Sequence, residues 1–194
     1  TAADHPIEIR SRPWILQETA VAWWREGAQR SAANGMIWRL PEDAVVSFGD
    51  LDEIPRRWVL KGFTGAPAVL SMLHLVYSTK QKTPGMWAGT VVGYRKDLGP
   101  SPHEVRENRW GFRAIEDAGW HLSWFGGSAK REEKLVRQAH QELVPIINGR
   151  LSEELPANLL HVDGTTKLET YDGDVPSWIE EGHAPPEWVR AWGR

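Results

Sequence analysis

An apolar run that ends in acidic residues is the first part of the chain that could do chemistry. Residues 44–48 are apolar apart from one serine, and Asp50, Asp52 and Glu53 follow them. The run predicts a strand buried on both faces, with its end at the crevice where open α/β sheets bind ligands. On such a strand Asp50 and Asp52 point the same way, about 7 Å apart. They could hold a divalent cation beside a diphosphate; the alternative is that they are solvated turn residues.

A second cluster of polar residues lies in residues 115–127. Glu116 and Asp117 precede a short predicted strand that carries His121 and runs into a glycine turn. A carboxylate and an imidazole at one rim suit general base catalysis. Asp117, and next Glu116, are therefore the candidate bases, with His121 as a further catalytic residue. The alternative is a polar turn before an edge strand.

Two predicted helices carry further candidates. In the helix that ends at residues 34–35, Arg25 and Gln29 share one side, while Arg30 is four residues from a glutamate. Arg30 is either half of a surface ion pair or, with its neighbours, a residue that faces a nucleotide. The helix predicted over residues 130–143 carries His140, which is either a ligand for a metal or phosphate or a cation favoured at that helix end.

Composition narrows the class of protein. The chain has 194 residues, 41% of them hydrophobic and 25% charged, which predicts one globular domain over residues 1–194. A net charge of −3 gives no electrostatic case for nucleic acid. The absence of cysteine excludes thiol catalysis and suits a cytoplasmic location, and no apolar stretch is long enough for a membrane span. The twelve tryptophans favour packing over sugar stacking.

Strands and helices alternate along the chain. Strands are predicted over residues 68–77 and 87–94, and short helices over residues 56–61 and 103–108. This alternation predicts an α/β fold with a mainly parallel twisted sheet flanked by helices. His74, inside the first of these strands, is interpreted as a core or edge histidine.

Four motifs, taken in order, resemble one known family. They are residues 24–30, residues 49–55 (Gly-Asp-Leu-Asp-Glu-Ile-Pro), residues 118–123 (Ala-Gly-Trp-His-Leu-Ser) and residues 134–142. The chain is similar in these motifs to family 17 glycosyltransferases, the group of the β-1,4-mannosyl-glycoprotein β-1,4-N-acetylglucosaminyltransferases and their bacterial, plant and viral relatives. The similarity covers roughly residues 6–180.

The resemblance implies a GT-A-like fold and an inverting transfer of a sugar, N-acetylglucosamine at the family level, from a UDP-sugar to a glycan or other hydroxyl acceptor. It also implies a Mn²⁺ or Mg²⁺ ion. By position, the implied residues for the donor are Arg25, Gln29, Arg30 and Asp50, and those for the metal are Asp50, Asp52 and His140. His121 and His140 lie in motifs near the reaction centre.

The chain departs from the family pattern in two places. Relatives often have cysteine after the Gly-Trp-His triplet, where this chain has Leu122. Relatives also usually begin with an earlier strand and loop that help to hold the nucleobase, so a fragment and a shortened member are both open interpretations. Two other functions remain alternatives: a tryptophan-rich sugar-binding module or inactive transferase relative, and a glycoside hydrolase that uses two carboxylates.

Overall fold

A seven-stranded sheet forms the centre of the molecule. The computed structural model describes residues 27–32, 34–99, 101–126, 128–137, 160–161 and 163–189. The strands are β1 (Val45–Phe48), β2 (Glu53–Pro55), β3 (Ala68–Val76), β4 (Gln81–Tyr94), β5 (Arg113–Ile115), β6 (Gly119–Ser123) and β7 (Glu169–Thr170). Their main order is β1-β4-β3-β6-β2, with β5 paired to β3 and β7 paired to β4.

Short helices flank the sheet. They are α1 (Asn34–Ile37), α2 (Arg57–Lys61), α3 (Pro102–Glu107), α4 (Ser128–Arg137), α5 (Ser177–Glu180) and α6 (Pro186–Val189), with 3-10 turns at Arg95–Asp97 and Arg109–Gly111. Residues 27–31 are also helical. None of the helices in the described ranges is long and apolar enough to cross a membrane.

The fold is mixed α/β, as the sequence predicts, but the prediction of a mainly parallel sheet is wrong. Only β3 with β5 and β3 with β6 pair in parallel, and the other four pairings of the described strands are antiparallel. The reason is the short link between β3 and β4. Residues 77–80 are too few for a crossover, which takes a dozen or more residues, so these two strands form a hairpin.

The prediction that residues 44–48 form a strand covered on both faces is also wrong. Strand β1 lies at the edge of the sheet, and only Phe48 of its four residues is buried. Strand β2 lies at the opposite end of the strand order, yet only residues 49–52 connect it to β1. So short a link requires the sheet to curl until its two edges approach each other. The result is a half-barrel with the acidic residues in the link.

The apolar core occupies both faces of this curled sheet. One cluster contains Leu70, Met72 and Val92, covered by Val59 of α2 and by Phe63. A second cluster contains Leu75, Trp120, Leu122 and Ile179, with Trp178 and Trp188 packed against it. The predicted packing role holds for Trp120, Trp178 and Trp188, whereas Trp38, Trp58 and Trp110 are exposed. Packing on both sides holds the central strands β3 and β6, which carry the polar residues of the candidate site.

Candidate functional site

The acidic motif is a turn, and its two aspartates do not share a strand face. The backbone N–H of Glu53 donates to the carbonyl oxygen of Asp50 at 3.0 Å, which closes the turn between β1 and β2. The N–H of Asp50 in return donates to the Glu53 carboxylate at 3.2 Å. Asp50 and Asp52 consequently point to different partners.

Asp50 is held between two arginines. Arg30 donates to both of its carboxylate oxygens, from Nε at 3.2 Å and from Nη2 at 3.1 Å. Arg106 of α3 donates to Asp50 Oδ2 at 2.8 Å. Arg30 thus reaches the acidic turn, while the glutamate four residues before it lies outside the described residues. With both oxygens engaged by guanidinium groups, Asp50 is poorly suited to bind a metal ion.

Glu53 is the buried centre of the turn. Its side chain is fully buried, and it accepts hydrogen bonds from Arg106 at 2.6 and 3.0 Å, from Trp87 Nε1 at 2.7 Å and from Thr90 Oγ1 at 2.7 Å. Burial alone would raise the pKa of this carboxyl, but these donors, led by Arg106, hold its pKa below the ordinary value. Glu53 therefore carries a charge that the protein itself satisfies.

A glycine in β4 makes this arrangement possible. A Cβ atom at Gly89 would lie 2.1 Å from Glu53 Oε1 and 2.3 Å from Trp87 Nε1. No side chain other than hydrogen fits at such distances. The close approach of β2 to β4 across the half-barrel thus depends on Gly89.

Asp52 is partly exposed, like Asp50 at 37%, but it faces α4 and β6. Its side chain is 32% exposed, and its Oδ2 atom lies 3.0 Å from Lys134 Nζ of α4 and 3.6 Å from His121 Nε2 of β6. Burial would raise the pKa of this carboxyl, yet His121 and Lys134 together hold its pKa well below the usual range. Asp52 is therefore an ionised carboxylate beside the end of β6.

Three histidines continue the site from Asp52. The ring of His121 stacks on Trp87 at 4.3 Å and on His74 at 4.7 Å, and His161 meets His74 edge-on at 5.6 Å. Asp163 orients His161 from 3.2 Å. Burial, followed by the neighbouring His121 and His161, lowers the pKa of His74 to about 3, so this imidazole is neutral at pH 7. Within the described residues, His74 Nε2 and His121 Nδ1 are buried without a hydrogen-bond partner.

The carboxyl ends of the parallel strands β3 and β6 carry strained backbone. Tyr77 and Trp124 have φ values of 67° and 60°, which residues other than glycine seldom adopt. Helix α4 covers both residues, with Arg131 5.6 Å from the Tyr77 ring and Lys134 5.4 Å from the Trp124 ring. Strain of this kind concentrates at functional sites. It marks the same edge of the sheet at which Asp52 lies.

The structure does not bring the predicted bases to this edge. Asp117 precedes β6, whereas Asp52 accepts from the N–H of Leu122 near the other end of that strand. Five residues of strand separate the two levels, or about 16 Å. Asp117 is 69% exposed and pairs with Arg56, which also pairs with Asp174.

Of the other predicted residues, two are exposed and two lie outside the described residues. Glu116 is exposed next to Asp117, and Gln29 is exposed on the helix of residues 27–31. Arg25 and His140 lie outside the described residues. The structure thus joins Arg30, Asp50, Asp52 and His121 in one polar region, and it places Glu116 and Asp117 at the opposite end of β6.

Sequence reasoning missed several members of the region. They share the property that they come from elements far away in the chain: His74, Trp87, Arg106, Arg131 and His161. Lys134 is a further member of the region, and a sequence pattern does indicate it, because it lies in the last of the four motifs. Within the ranges that the structure describes, no group of three or more histidine and acidic side chains is arranged to hold a metal ion.

Comparison with known proteins adds no relative. No family model, no curated protein and no solved structure matches this chain.

Proposed function

We propose that the chain is a glycosyltransferase that moves a sugar from a nucleotide-sugar donor to a hydroxyl group of a carbohydrate or glycoconjugate. The observation that carries the proposal is Asp52, an ionised and accessible carboxylate between Lys134 and His121. The four motifs that resemble family 17 supply the sugar class, N-acetylglucosamine, and the UDP carrier. The same proposal includes a GT-A-like fold, in which the donor binds at the edge of the sheet.

The proposed reaction is an inverting displacement. The bond between the anomeric carbon and the diphosphate oxygen breaks, and its electron pair stays on that oxygen. The acceptor oxygen bonds to the anomeric carbon from the opposite face and gives its proton to a base. His121 is the predicted catalytic residue that lies beside Asp52. Glu116 and Asp117 lie too far along β6 to share this centre.

A divalent cation fits the site only if the donor supplies some of its ligands. Asp52 would hold it, because the oxygens of Asp50 already accept from Arg30 and Arg106. Magnesium and related ions are often bound by one or two carboxylates together with substrate phosphates. Bound there, the ion would neutralise charge on the diphosphate as a Lewis acid. Lys134 already supplies one positive charge at this position.

The hydrolase alternative is less well supported. A glycoside hydrolase needs one carboxylic acid that stays protonated, which requires a raised pKa. The pKa values of Asp52 and of the buried Glu53 are both lowered. Neither is suited to act as the acid.

A screen of nucleotide sugars by thermal denaturation tests the proposal. A donor at about 100 times its dissociation constant stabilises a protein by about 2.7 kcal/mol. We expect a UDP-sugar to raise the melting temperature when Mn²⁺ is present, with a smaller rise without metal. Stabilisation by free glycans but by no nucleotide sugar would favour the sugar-binding module and contradict the proposal.

A further inference from the structure

Arg131 is a buried cation without an anion. It lies in helix α4 and is 4% exposed, and within the described part of the chain no carboxylate or hydrogen-bond acceptor contacts its guanidinium. Its Nε atom is buried and unpartnered. Its one close contact of note is the ring of Tyr77, 5.6 Å away.

Such an arrangement is unfavourable without a ligand. An arginine side chain does not lose its proton in proteins, so the group stays charged. Removing one charge from water costs several kcal/mol unless a partner compensates it. Burial lowers the pKa of Arg131, in line with this cost. The cation–π contact with the Tyr77 ring compensates only part of this cost. An anion that binds beside Arg131 would compensate the rest of the desolvation cost.

The surroundings of Arg131 suit an anion. Lys134 follows by three residues, so both cations lie on one side of the helix. They cover the adjacent residues Tyr77 and Trp124 at the ends of β3 and β6. The first turn of α4 carries no acidic residue, which leaves the positive end of the helix dipole uncompensated there. The exposed Glu132 next to Arg131 interacts with it only through space, and Asp52 is already paired with Lys134.

We infer that Arg131 and Lys134 form a diphosphate subsite next to Asp52, which holds the phosphates of the donor and stabilises the leaving diphosphate. The assignment of the diphosphate to a nucleotide sugar rests on the proposed function. The subsite itself rests on the buried side chain of Arg131 and its unpartnered Nε atom. A diphosphate fits better than a single carboxylate because two cations, 3 residues apart on one helix, can each contact one phosphate group.

Calorimetric titration with inorganic pyrophosphate, in buffer stripped of metal, tests the subsite. We expect the parent protein to bind pyrophosphate and Arg131→Met to bind it at least tenfold more weakly. The melting temperature of Arg131→Met should stay equal or rise, because the variant removes an uncompensated buried charge. Arg131→Lys keeps the charge and should retain most of the affinity; it also serves if Arg131→Met does not fold.

Two controls separate binding from structure. Arg109 is another partly buried arginine, but it donates to the carbonyl oxygens of Ala88 and Arg106. Arg109→Met should therefore lower the melting temperature and leave pyrophosphate affinity within about threefold. Lys130→Gln removes a more exposed charge from the same helix, where Lys130 pairs with Glu133, and should also leave that affinity unchanged.

The outcomes distinguish this inference from the proposed function. Absence of pyrophosphate binding in the parent, or equal affinity in Arg131→Met, overturns the subsite. Loss of pyrophosphate binding in Arg131→Met supports it, whatever the protein does with nucleotides. If pyrophosphate binds through Arg131 but no nucleotide sugar stabilises the protein, the subsite stands and the proposed function fails.

Discussion

Adjacent acidic residues of one motif have opposite environments. Glu53 is fully buried and accepts from Arg106, Trp87 and Thr90, whereas the side chain of Asp52 is partly exposed and contacts Lys134 and His121. The sequence predicts that the motif is functional, but it cannot predict this division of roles. The partners that create it come from β4, α3 and α4, which are distant in the chain. Only the folded structure brings them together.

Replacing Glu53 should destabilise the protein, because its charge is buried and paired. Glu53→Gln removes the charge that compensates the buried Arg106, and breaking a buried ion pair costs about 3–5 kcal/mol. We expect a loss of about 3 kcal/mol in chemical denaturation, since Asp50 still pairs with Arg106. Glu116→Gln changes an exposed residue and should stay within about 0.5 kcal/mol. Equal stability of the two variants would contradict the role of Glu53.

His74 should make the protein sensitive to mild acid. Its folded pKa is about 3, below the 6.5 of an ordinary histidine, so the unfolded chain binds the extra proton first. The free energy of unfolding should therefore fall as the pH drops from about 6.5 towards 4. The contribution of this one group is at most about 1.4 kcal/mol per pH unit.

The His74→Gln variant tests that assignment. Denaturation curves at pH 7.5, 6, 5 and 4.5 should show a shallower loss of stability than in the parent. His161, whose pKa is also lowered by burial, should account for part of the remaining slope. His183→Gln, in an exposed histidine, should keep the parent slope. An unchanged slope in His74→Gln would show that another group titrates.

At the scale of elements, local sequence patterns predict where strands and helices lie better than they predict whether paired strands run parallel or antiparallel. The strand predicted over residues 68–77 is found at Ala68–Val76, and the helices predicted over 56–61 and 103–108 are found at Arg57–Lys61 and Pro102–Glu107. Strand β4 starts six residues earlier than predicted, because Pro84 and Gly85 usually mark a turn and here lie at exposed positions within a strand. A strand predicted to start at residue 87 leaves a longer link after β3. The sequence therefore does not predict the hairpin or the antiparallel pairing of β3 with β4.

Arg56 connects three separate segments at the end of β6 away from Asp52. It pairs with Asp117 and Asp174, and its guanidinium lies 4.3 Å from the Trp120 ring. We expect Arg56→Gln to loosen residues 171–189, which limited proteolysis would detect as faster cleavage there. Lys80→Gln, which removes a more exposed pair with Asp172, is the control. Equal cleavage rates in both variants would contradict the connection.

Asp117 should belong to this structural contact and not to catalysis. An exposed ion pair contributes about 0–1 kcal/mol, so Asp117→Asn should lower stability slightly. Under the proposed function its turnover should match that of the parent, whereas His121→Gln should lose at least about a hundredfold in steady-state transfer assays. A hundredfold loss in Asp117→Asn would restore Asp117 as the base.

At the scale of the whole molecule, the acidic turn closes a half-barrel. Residues 49–52 join its two edges, so the motif is fixed on one side by Arg30 and Arg106 and open on the other towards α4. Composition and the alternation of elements predict an α/β protein with the acidic motif at the end of a strand. They do not predict the curvature, which follows from pairing between strands far apart in sequence.

Calorimetric titration with UDP, in the presence and absence of Mn²⁺, tests the central claim most directly when Asp52→Asn is compared with Asp43→Asn. Asp43 lies in an exposed turn before β1 and serves as the matched control. We predict metal-dependent UDP binding in the parent and in Asp43→Asn, and its loss in Asp52→Asn with an unchanged fold. UDP binding by Asp52→Asn at the parent affinity with Mn²⁺, or no UDP binding by the parent, would contradict the proposed site.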